Sequence, residues 1–203
     1  MLYNQIATSQ VVEQTKSNLE ERGFTVYLVK TKQEAKILAL ELIPEGSEVM
    51  TMSSATLGET GLDEVLNGSG KYNAIRDKLY NLDRETQAKE MKILGSIHDF
   101  TIGSVQAITQ KGELIMASAT GSQLPAYAYS SNKVVLIVGT QKITNDLMDA
   151  MKRIYDFVLP LESERAHKAY GVPGSSVNKV LIYNKEPIPG RIHIILVDEV
   201  LGY

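Results

Sequence analysis

The sequence predicts an α/β fold with three layers, in which helices flank an open, mostly parallel sheet. Helical and strand-like segments alternate along the chain, which is typical of the units that build parallel sheets. The run Val134–Gly139 is apolar almost throughout, as expected of a strand buried on both faces of such a sheet. Neither a repeat nor a shift in composition marks a boundary, so we expect residues 1–203 to form one domain, with residues 1–46 as its helix-and-strand lead-in.

The lead-in predicts two helices and one strand. A helix is expected over 3–22, ending before a glycine, and a strand over 24–29. Thr31 and Glu34 then have the spacing of a capping box, in which a hydroxyl and a carboxylate bond the free amides at a helix start. Pro44 is expected to end the helix that follows.

A strand, a small polar turn and another helix start come next in close succession. The strand is predicted over 48–52, and the turn that follows contains two serines and a threonine. Thr56 and Glu59 predict a second capping box. Beyond it, a long polar helix is predicted over 73–94.

The remaining chain predicts five strands and two helices. The strands are expected over 100–108, 113–118, 134–139, 180–183 and 192–197, and the helices over 145–158 and 162–170. Residues 109–112 predict a hairpin turn ending in glycine, and Pro160 is expected to separate the two helices. The strands of the last third are compatible with a separate lobe or with the main sheet.

Charge and residue usage disfavour several kinds of function. The formal net charge is −3 and the basic residues form no dense run, which argues against a nucleic-acid partner. No apolar run approaches the length of a membrane span and no signal peptide is visible, so we expect a cytoplasmic protein. The sequence has no cysteine, and its three histidines form no metal-binding pattern. We therefore predict neither a metal site nor a cofactor held by this chain.

The first candidate ligand site is the polar turn formed by Ser53, Ser54 and Thr56. A helix start carries unpaired amides and a partial positive charge, which favours a phosphate or carboxylate. Small hydroxyl side chains add hydrogen-bond donors without blocking the backbone. The same residues are also explained as ordinary helix caps.

A second small-residue loop, containing Gly121, Ser122 and Gln123, follows another predicted strand. Ligands of open α/β sheets bind beyond the carboxyl ends of the strands. We therefore expect this loop and the first one to line a single crevice, although a tight turn around the glycine also explains it.

Polar residues in and beside apolar strands complete the predicted ligand-binding set. Ser104 and Gln106 alternate with apolar residues, so both would point to one face of a strand. Lys133 and Lys142 flank the apolar run, where they could balance an anion or simply solubilise strand ends. We include Ser104, Gln106 and Lys133 in the ligand-binding set, and the sequence leaves the identity of any catalytic residue open.

Five stretches of the sequence carry a family resemblance. They are 54–57, 102–114, 117–125, 133–143 and 198–203. From about residue 53 onward the sequence resembles the LUD-domain family, the lactate-utilisation proteins of the LutC/YkgG type. The resemblance implies the fold of ribose-5-phosphate isomerase, the CoA transferases and 5-formyltetrahydrofolate cyclo-ligase.

The resemblance also implies a function. Members of the family are implicated in oxidising lactate to pyruvate with separate iron–sulfur and oxidoreductase subunits. We therefore expect an accessory or regulatory subunit in lactate or organic-acid utilisation, which binds a small anionic metabolite and leaves electron transfer to those partner subunits. Analogy with the fold also suggests a homo-oligomer.

Two other functions stay open, as does the question of whether the chain is an enzyme. One is a free-standing enzyme of the cyclo-ligase or CoA-transferase kind; a CoA transferase needs a glutamate nucleophile, and Glu59 and Glu113 lie next to the candidate loops. The other is a non-catalytic interaction protein. Many relatives have an acidic residue where Gln110 stands and Asn-Arg where Ser122 and Gln123 stand, so the resemblance leaves the substrate open.

Overall fold

The structure, a computed structural model, describes residues 3–203, in which ten strands and eight α-helices alternate. The helices are α1 (Ser9–Glu21), α2 (Lys32–Leu42), α3 (Ala55–Thr60), α4 (Leu62–Gly68), α5 (Ile75–Tyr80), α6 (Ala88–Leu94), α7 (Leu147–Arg153) and α8 (Leu159–Tyr170). The strands are β1 (Thr25–Val29), β2 (Glu48–Thr51), β3 (Asn73–Ala74), β4 (Phe100–Gly103), β5 (Ala107–Thr109), β6 (Leu114–Ser118), β7 (Lys133–Gly139), β8 (Ile143–Thr144), β9 (Lys179–Tyr183) and β10 (Ile192–Val197). Two π-helical turns (Ala126–Ser130 and Ile154–Val158) and a 3₁₀ turn (Thr140–Lys142) complete the elements.

Six parallel strands form the main sheet, in the order β1-β10-β7-β4-β2-β3. β7 lies near its centre, and the side chains of Val134–Val138 are all buried. Alternate residues of β7 enter apolar clusters on opposite faces, Val134 on one and Val135 on the other. The predicted α/β fold, with a mostly parallel sheet flanked by helices, is confirmed.

The two faces of the main sheet are covered differently. On one face α2, α3 and α4 contribute Ala35, Leu57 and Leu62 to the apolar cluster. On the other face, Leu19 of α1 packs together with Ile108 of a second sheet. The second sheet therefore forms part of the layer that buries the main sheet.

The second sheet has four strands in the order β8-β5-β6-β9. β5 and β6 form the predicted hairpin, in which the amide of Gly112 donates to the carbonyl of Thr109 at 2.9 Å. Gly112 has a φ of +88°, a conformation that glycine adopts without strain. β9 pairs with β6 whereas β10 enters the main sheet, so the last third of the chain is divided between the two sheets.

The strand predicted over 100–108 is wrong, because the chain changes sheets within it. β4 belongs to the main sheet and β5 to the second, and Ser104–Gln106 crosses between them. The Ser104 amide donates to the hydroxyl of Tyr127, a buried side chain that lies against Gly103 at the end of β4. The alternation predicts that Ser104 and Gln106 share one face of a strand. This prediction is wrong, because neither residue lies in a strand.

Two predicted helices also differ from the structure. The segment over 73–94 contains β3, α5 and α6, because Asp83 accepts hydrogen bonds from the amides of Glu85 and Thr86 and holds a turn. The first helix begins at Ser9 and not at residue 3, since the Thr8 hydroxyl caps it. The capping interaction at Thr31 is confirmed: its hydroxyl accepts from the Glu34 amide at 3.2 Å.

The helix break predicted at Pro160 is also wrong. α7, the π-helical turn and α8 follow one another without interruption from Leu147 to Tyr170. A proline lacks an amide hydrogen and its ring crowds the carbonyl four residues earlier in an α-helix. The wider π-helical turn that precedes Pro160 relieves this conflict, which the sequence pattern does not display.

Candidate functional site

The ends of three neighbouring strands bring separate parts of the chain together. β2, β4 and β7 are parallel and neighbours in the main sheet, so the residues that follow them lie at the same edge. These residues are the turn at Ser53–Thr56, the crossing segment that begins at Ser104, and the 3₁₀ turn Thr140–Lys142.

Lys142 is the central side chain of this edge. It is 2% exposed, and its Nζ donates to Oγ1 of Thr56 at 2.9 Å and to Oγ of Ser104 at 3.1 Å. Within the described part of the chain, Lys142 makes no salt bridge to a carboxylate. Burial, followed by the positive charge of Arg153, lowers the pKa of Lys142 to about 7.

A second buried cation, Arg153 on α7, lies beside this lysine. It is fully buried, and its Nη1 donates to the backbone carbonyl of Gln106. β5 and β8 are parallel with Ile108 opposite Ile143, a register that brings Gln106 next to the turn that carries Lys142. Burial lowers the pKa of Arg153 to about 10, so the guanidinium stays charged at neutral pH.

Unsatisfied polar atoms are concentrated at the same place. Among residues 3–203, four buried side-chain atoms have no hydrogen-bond partner: Oγ1 of Thr140, Oε1 of Gln141, and Nε and Nη2 of Arg153. A buried polar atom without a partner costs roughly 1–3 kcal/mol. Their clustering around two buried cations is typical of a site that receives a polar, negatively charged group. We call Thr56, Ser104, Thr140, Gln141, Lys142 and Arg153 the Lys142 cluster.

A cationic rim lies beside the cluster. Arg76 of α5 donates to the carbonyl of Thr51 and to Oγ of Ser53, both at 2.7 Å. Its guanidinium lies 5.4 Å from the ring centre of Tyr80. Hydrogen bonds from Arg165 and from Ser53 lower the pKa of Tyr170 at the same edge. Ser53 is exposed, so this rim faces solvent.

The segment Leu201–Tyr203 covers the cluster. The carbonyl of Leu201 accepts from the hydroxyl of Thr56 at 3.3 Å and from the side-chain Nε2 of Gln141 at 2.8 Å. The amide of Gly202 donates to Oε2 of Glu59 at 2.9 Å. The capping box predicted for Thr56 and Glu59 is therefore wrong: the residue that precedes α3 is Ser54, two positions before Thr56, and both side chains bond the covering segment.

Comparisons with known proteins agree with this architecture. The LUD domain family model matches residues 12–197. The chain belongs to the LUD-domain family. No curated protein matches the sequence significantly.

One solved structure with a TM-score above 0.5 supports the fold of this LUD domain. The crystal structure of a DUF162 family protein from Deinococcus radiodurans is similar with a TM-score of 0.57 and 10% identity, over 95% of this chain and 99% of that one. Ribose 5-phosphate isomerase A from Neisseria gonorrhoeae has a TM-score of 0.35 and 19% identity, over 57% of this chain and 54% of its own. Ribose 5-phosphate isomerase from Plasmodium falciparum has a TM-score of 0.33 and 16% identity, over 79% and 81%.

The structure places some of the predicted ligand residues of the LUD domain at the Lys142 cluster or at the rim beside it, and the others farther away. Thr56 and Ser104 bond Lys142, whereas Ser53 bonds the rim arginine. Ser54 is the residue before α3 and is partly buried. Gln106 contributes its backbone carbonyl to the site, while its side-chain oxygen accepts from the amide of Ala117 at 2.9 Å.

The other predicted residues lie away from Lys142. Lys133 starts β7, at the opposite end of that strand, and donates to the carbonyl of Gly190. The loop at Gly121–Gln123 packs against Lys179 of β9, which donates to the carbonyl of Thr120 at 2.8 Å. Within residues 3–203, no hydrogen bond joins this loop to Thr56 or Lys142.

The sequence indicates that Lys142 could balance an anion or solubilise a strand end, but it does not place Lys142 in the predicted ligand-binding set, and Arg153 is not among the candidates. One signal is present in the sequence: Lys142 lies three residues after the end of the most apolar strand, where an open α/β sheet places its ligand. Arg153 lies on the same side of a helix as Ala150 and Ile154, both buried. An arginine on the buried face of a helix is itself buried unless that part of the helix is displaced from the core.

The described residues contain neither a membrane-spanning helix nor a metal-binding group. Within 3–203, no helix combines the length and apolarity needed to cross a bilayer. The same range contains no group of three or more histidine and carboxylate side chains placed to hold a metal ion.

Proposed function

We propose that this LUD domain binds a small anionic metabolite at the Lys142 cluster and serves as an accessory or regulatory subunit in lactate or organic-acid utilisation. The observation that carries the proposal is the pair of buried cations, Lys142 and Arg153, without a carboxylate in salt-bridge contact in the described chain. A buried charge is expensive unless an opposite charge accompanies it. An anionic ligand supplies that charge.

The donors around the cluster fit a carboxylate or a phosphate. Arg153 has two nitrogen atoms without a partner, Lys142 is a point charge, and Thr56 and Ser104 add hydroxyls. Because Lys142 is 2% exposed, the ligand enters by displacing the covering segment Leu201–Tyr203. The rim arginine at 76 attracts an anion to this edge of the sheet, whereas Arg165 is paired with Glu162.

The accessory role rests on family membership and on the sequence. The family name associates the domain with lactate utilisation. The chain has no cysteine, so iron–sulfur clusters held by thiolates belong to partner subunits. Glu59 and Glu113, the glutamates that a CoA-transferase mechanism would require, bond the Gly202 amide and Arg22 respectively. Their engagement favours the binding role over that enzyme.

Isothermal titration calorimetry on the purified protein tests the binding site. The probes are lactate, pyruvate, ribose 5-phosphate and inorganic phosphate, titrated into the wild-type protein, Lys142→Met and Lys133→Met. We expect at least one probe to bind the wild type and Lys133→Met equally and to bind Lys142→Met at least ten-fold more weakly. Equal binding to all three proteins, or binding to none, would overturn the proposed site.

The accessory role has a separate test. We expect the isolated protein to leave lactate unchanged in the presence of a soluble electron acceptor and to turn it over only with iron–sulfur and oxidoreductase subunits added. Lactate oxidation by the isolated chain would show that it is a complete enzyme.

A further inference from the structure

The Lys142 cluster presents a primary amine in an environment that does not require it to be charged. Its Nζ contacts two neutral hydroxyls, those of Thr56 and Ser104, at 2.9 and 3.1 Å. A neutral amine satisfies this arrangement as well as an ammonium does, because a hydroxyl both donates and accepts. The nitrogen lone pair is then free to act as a nucleophile, which is the ordinary role of a desolvated lysine.

Arg153, whose charge acts on Lys142, has a guanidinium 5.3 Å from the ring centre of Phe157 and 6.0 Å from that of Tyr3, with two nitrogen atoms that have no partner. Its side chain is fully buried and anchored through Nη1, while Nε and Nη2 keep unused N–H groups on one edge of the guanidinium. Two adjacent N–H groups match the two oxygens of a carboxylate. A ligand that uses both residues therefore carries a carboxylate and, next to it, an atom that reacts with an amine.

We propose that Lys142 forms an imine with the ketone carbon of a 2-oxo acid whose carboxylate is bound by Arg153. The inference rests on the proposed function, since the same cluster has to admit the anion. The amine lone pair attacks the ketone carbon, and the carbonyl oxygen takes up protons and leaves as water. One C–N double bond replaces the C–O double bond, so the step needs neither an oxidant nor a reductant.

The charges that face Lys142 favour this chemistry. Burial disfavours the ammonium form most, the positive charge of Arg153 on α7 adds to this effect, and Glu59 on α3 opposes it; together they bring the pKa of the lysine to about 7. A substantial fraction of the Lys142 side chains is then neutral at pH 7. An ordinary exposed lysine, with a pKa near 10.4, is neutral in about one molecule in 2,500 at that pH.

Reductive trapping with pyruvate as the probe tests the proposal. The protein is incubated with pyruvate and cyanoborohydride at pH 7, digested and analysed by mass spectrometry. We expect the peptide containing Lys142 to gain the mass of one pyruvic acid less one oxygen atom, at least a hundred-fold faster than peptides with exposed lysines. Lys133→Met should be trapped at the wild-type rate, and Lys142→Arg, which keeps a positive charge, should not be trapped.

Calorimetry with pyruvate, run on the same preparations, separates the two proposals. If pyruvate binds but Lys142 gains no mass, the imine is wrong and the anion site stands. If pyruvate neither binds nor is trapped while phosphate binds, the 2-oxo acid is wrong and the anion site again stands. Modification of exposed lysines at the same rate as Lys142 would also overturn the imine. If no probe binds and none is trapped, both proposals fail.

Discussion

The Nζ atom of Lys142 lies 2.9 Å from Oγ1 of Thr56, a residue 86 positions earlier in the sequence. This contact joins the ends of two strands of the main sheet and holds a charge-bearing group away from water. Ser104, which follows the strand between them in the sheet, supplies the second hydroxyl at 3.1 Å. The contacts depend on the parallel order of β2, β4 and β7, because only that order brings the three strand ends to one edge.

The first prediction concerns Lys142→Met and the pH dependence of stability. In the unfolded chain the ammonium group of Lys142 keeps its proton up to about pH 10.4, whereas in the folded chain it releases the proton near pH 7. Between these values the unfolded state binds more protons, so the stability of the wild type rises with pH. Below pH 7 both states are protonated, and the whole penalty of burying the charge is present.

We therefore expect Lys142→Met to be more stable than the wild type at pH 6.5, and this advantage to shrink as the pH approaches 10.4. The change across that window should be on the order of 4 kcal/mol. Urea unfolding at several pH values measures it, with Lys133→Met as the control whose stability difference from the wild type stays constant. A constant difference for Lys142→Met would show that the lysine titrates normally.

The second prediction concerns Gly103, at the end of β4. A Cβ atom added there would lie 1.9 Å from the hydroxyl oxygen of Tyr127 and 3.0 Å from its Cζ. Because Tyr127 is buried, it cannot turn aside, and Gly103→Ala should destabilise the protein by at least about 2 kcal/mol. Thermal and urea unfolding measure the loss.

A double variant checks the cause. Adding Tyr127→Phe removes the clashing oxygen and should recover part of the stability that Gly103→Ala loses, although Tyr127→Phe alone loses the hydrogen bond from the Ser104 amide. Strictly additive effects of the two substitutions would show that the hydroxyl is not the source of the strain.

The sequence predicts most of the main sheet, because the strands of this sheet coincide with short apolar runs. β7 and β10 are short apolar runs, and the alternation of helices with strands indicates their parallel order. The crossing at Ser104 was missed, since apolar residues continue on both sides of it and a change of sheet leaves no break in the pattern. The helix through Pro160 was missed because a π-helical turn has no local signature.

The candidate site was predicted only in part for a different reason. Thr56 and Ser104 follow strands and carry hydroxyls, so local reasoning finds them. Their partner Lys142 is remote in sequence, and Arg153 reaches the cluster from a helix of the second sheet's layer. Such convergence depends on the packing of the two sheets, which neither hydrophobic periodicity nor residue spacing specifies.

The third prediction concerns the buried pair Arg191 and Glu186. The Nη1 of Arg191 lies 2.8 Å from Oε2 of Glu186, and both side chains are almost completely buried. Burial opposes the charge of Glu186, but hydrogen bonds from Tyr183, the Ile188 amide and Arg191 outweigh it and lower the pKa of the carboxyl. Glu186→Gln should therefore destabilise the protein by about 3–5 kcal/mol at pH 7, because it leaves a buried cation unpaired.

The matched control is Glu45→Gln, which breaks an exposed pair with Lys71 and should change stability by less than about 1 kcal/mol. The Glu186 carboxyl contributes its stability above the unfolded pKa and loses it as the pH falls through the lower folded value. The gap between wild type and Glu186→Gln, measured by urea unfolding, should accordingly narrow below pH 4.5. A gap of the same size at pH 7 and pH 3.5 would contradict this assignment.

The fourth prediction concerns Gly202 and access to the Lys142 cluster. Gly202 has a φ of +58°, and an added Cβ would lie 2.5 Å from Oγ1 and 2.9 Å from the backbone nitrogen of Thr56. Gly202→Ala should lift the segment Leu201–Tyr203 from α3, speed hydrogen exchange at its amides, and make Lys142 easier to reach.

Gly70→Ala is the control, because Gly70 has a φ of +72° with nothing within 4 Å of the added atom. Both substitutions carry the backbone strain of about 1–2 kcal/mol, but only Gly202→Ala also meets Thr56. We expect Gly202→Ala to be the less stable of the two and to be trapped by pyruvate faster than wild type, whereas Gly70→Ala reacts at the wild-type rate. Equal exchange and equal trapping in the two variants would show that the segment does not control entry.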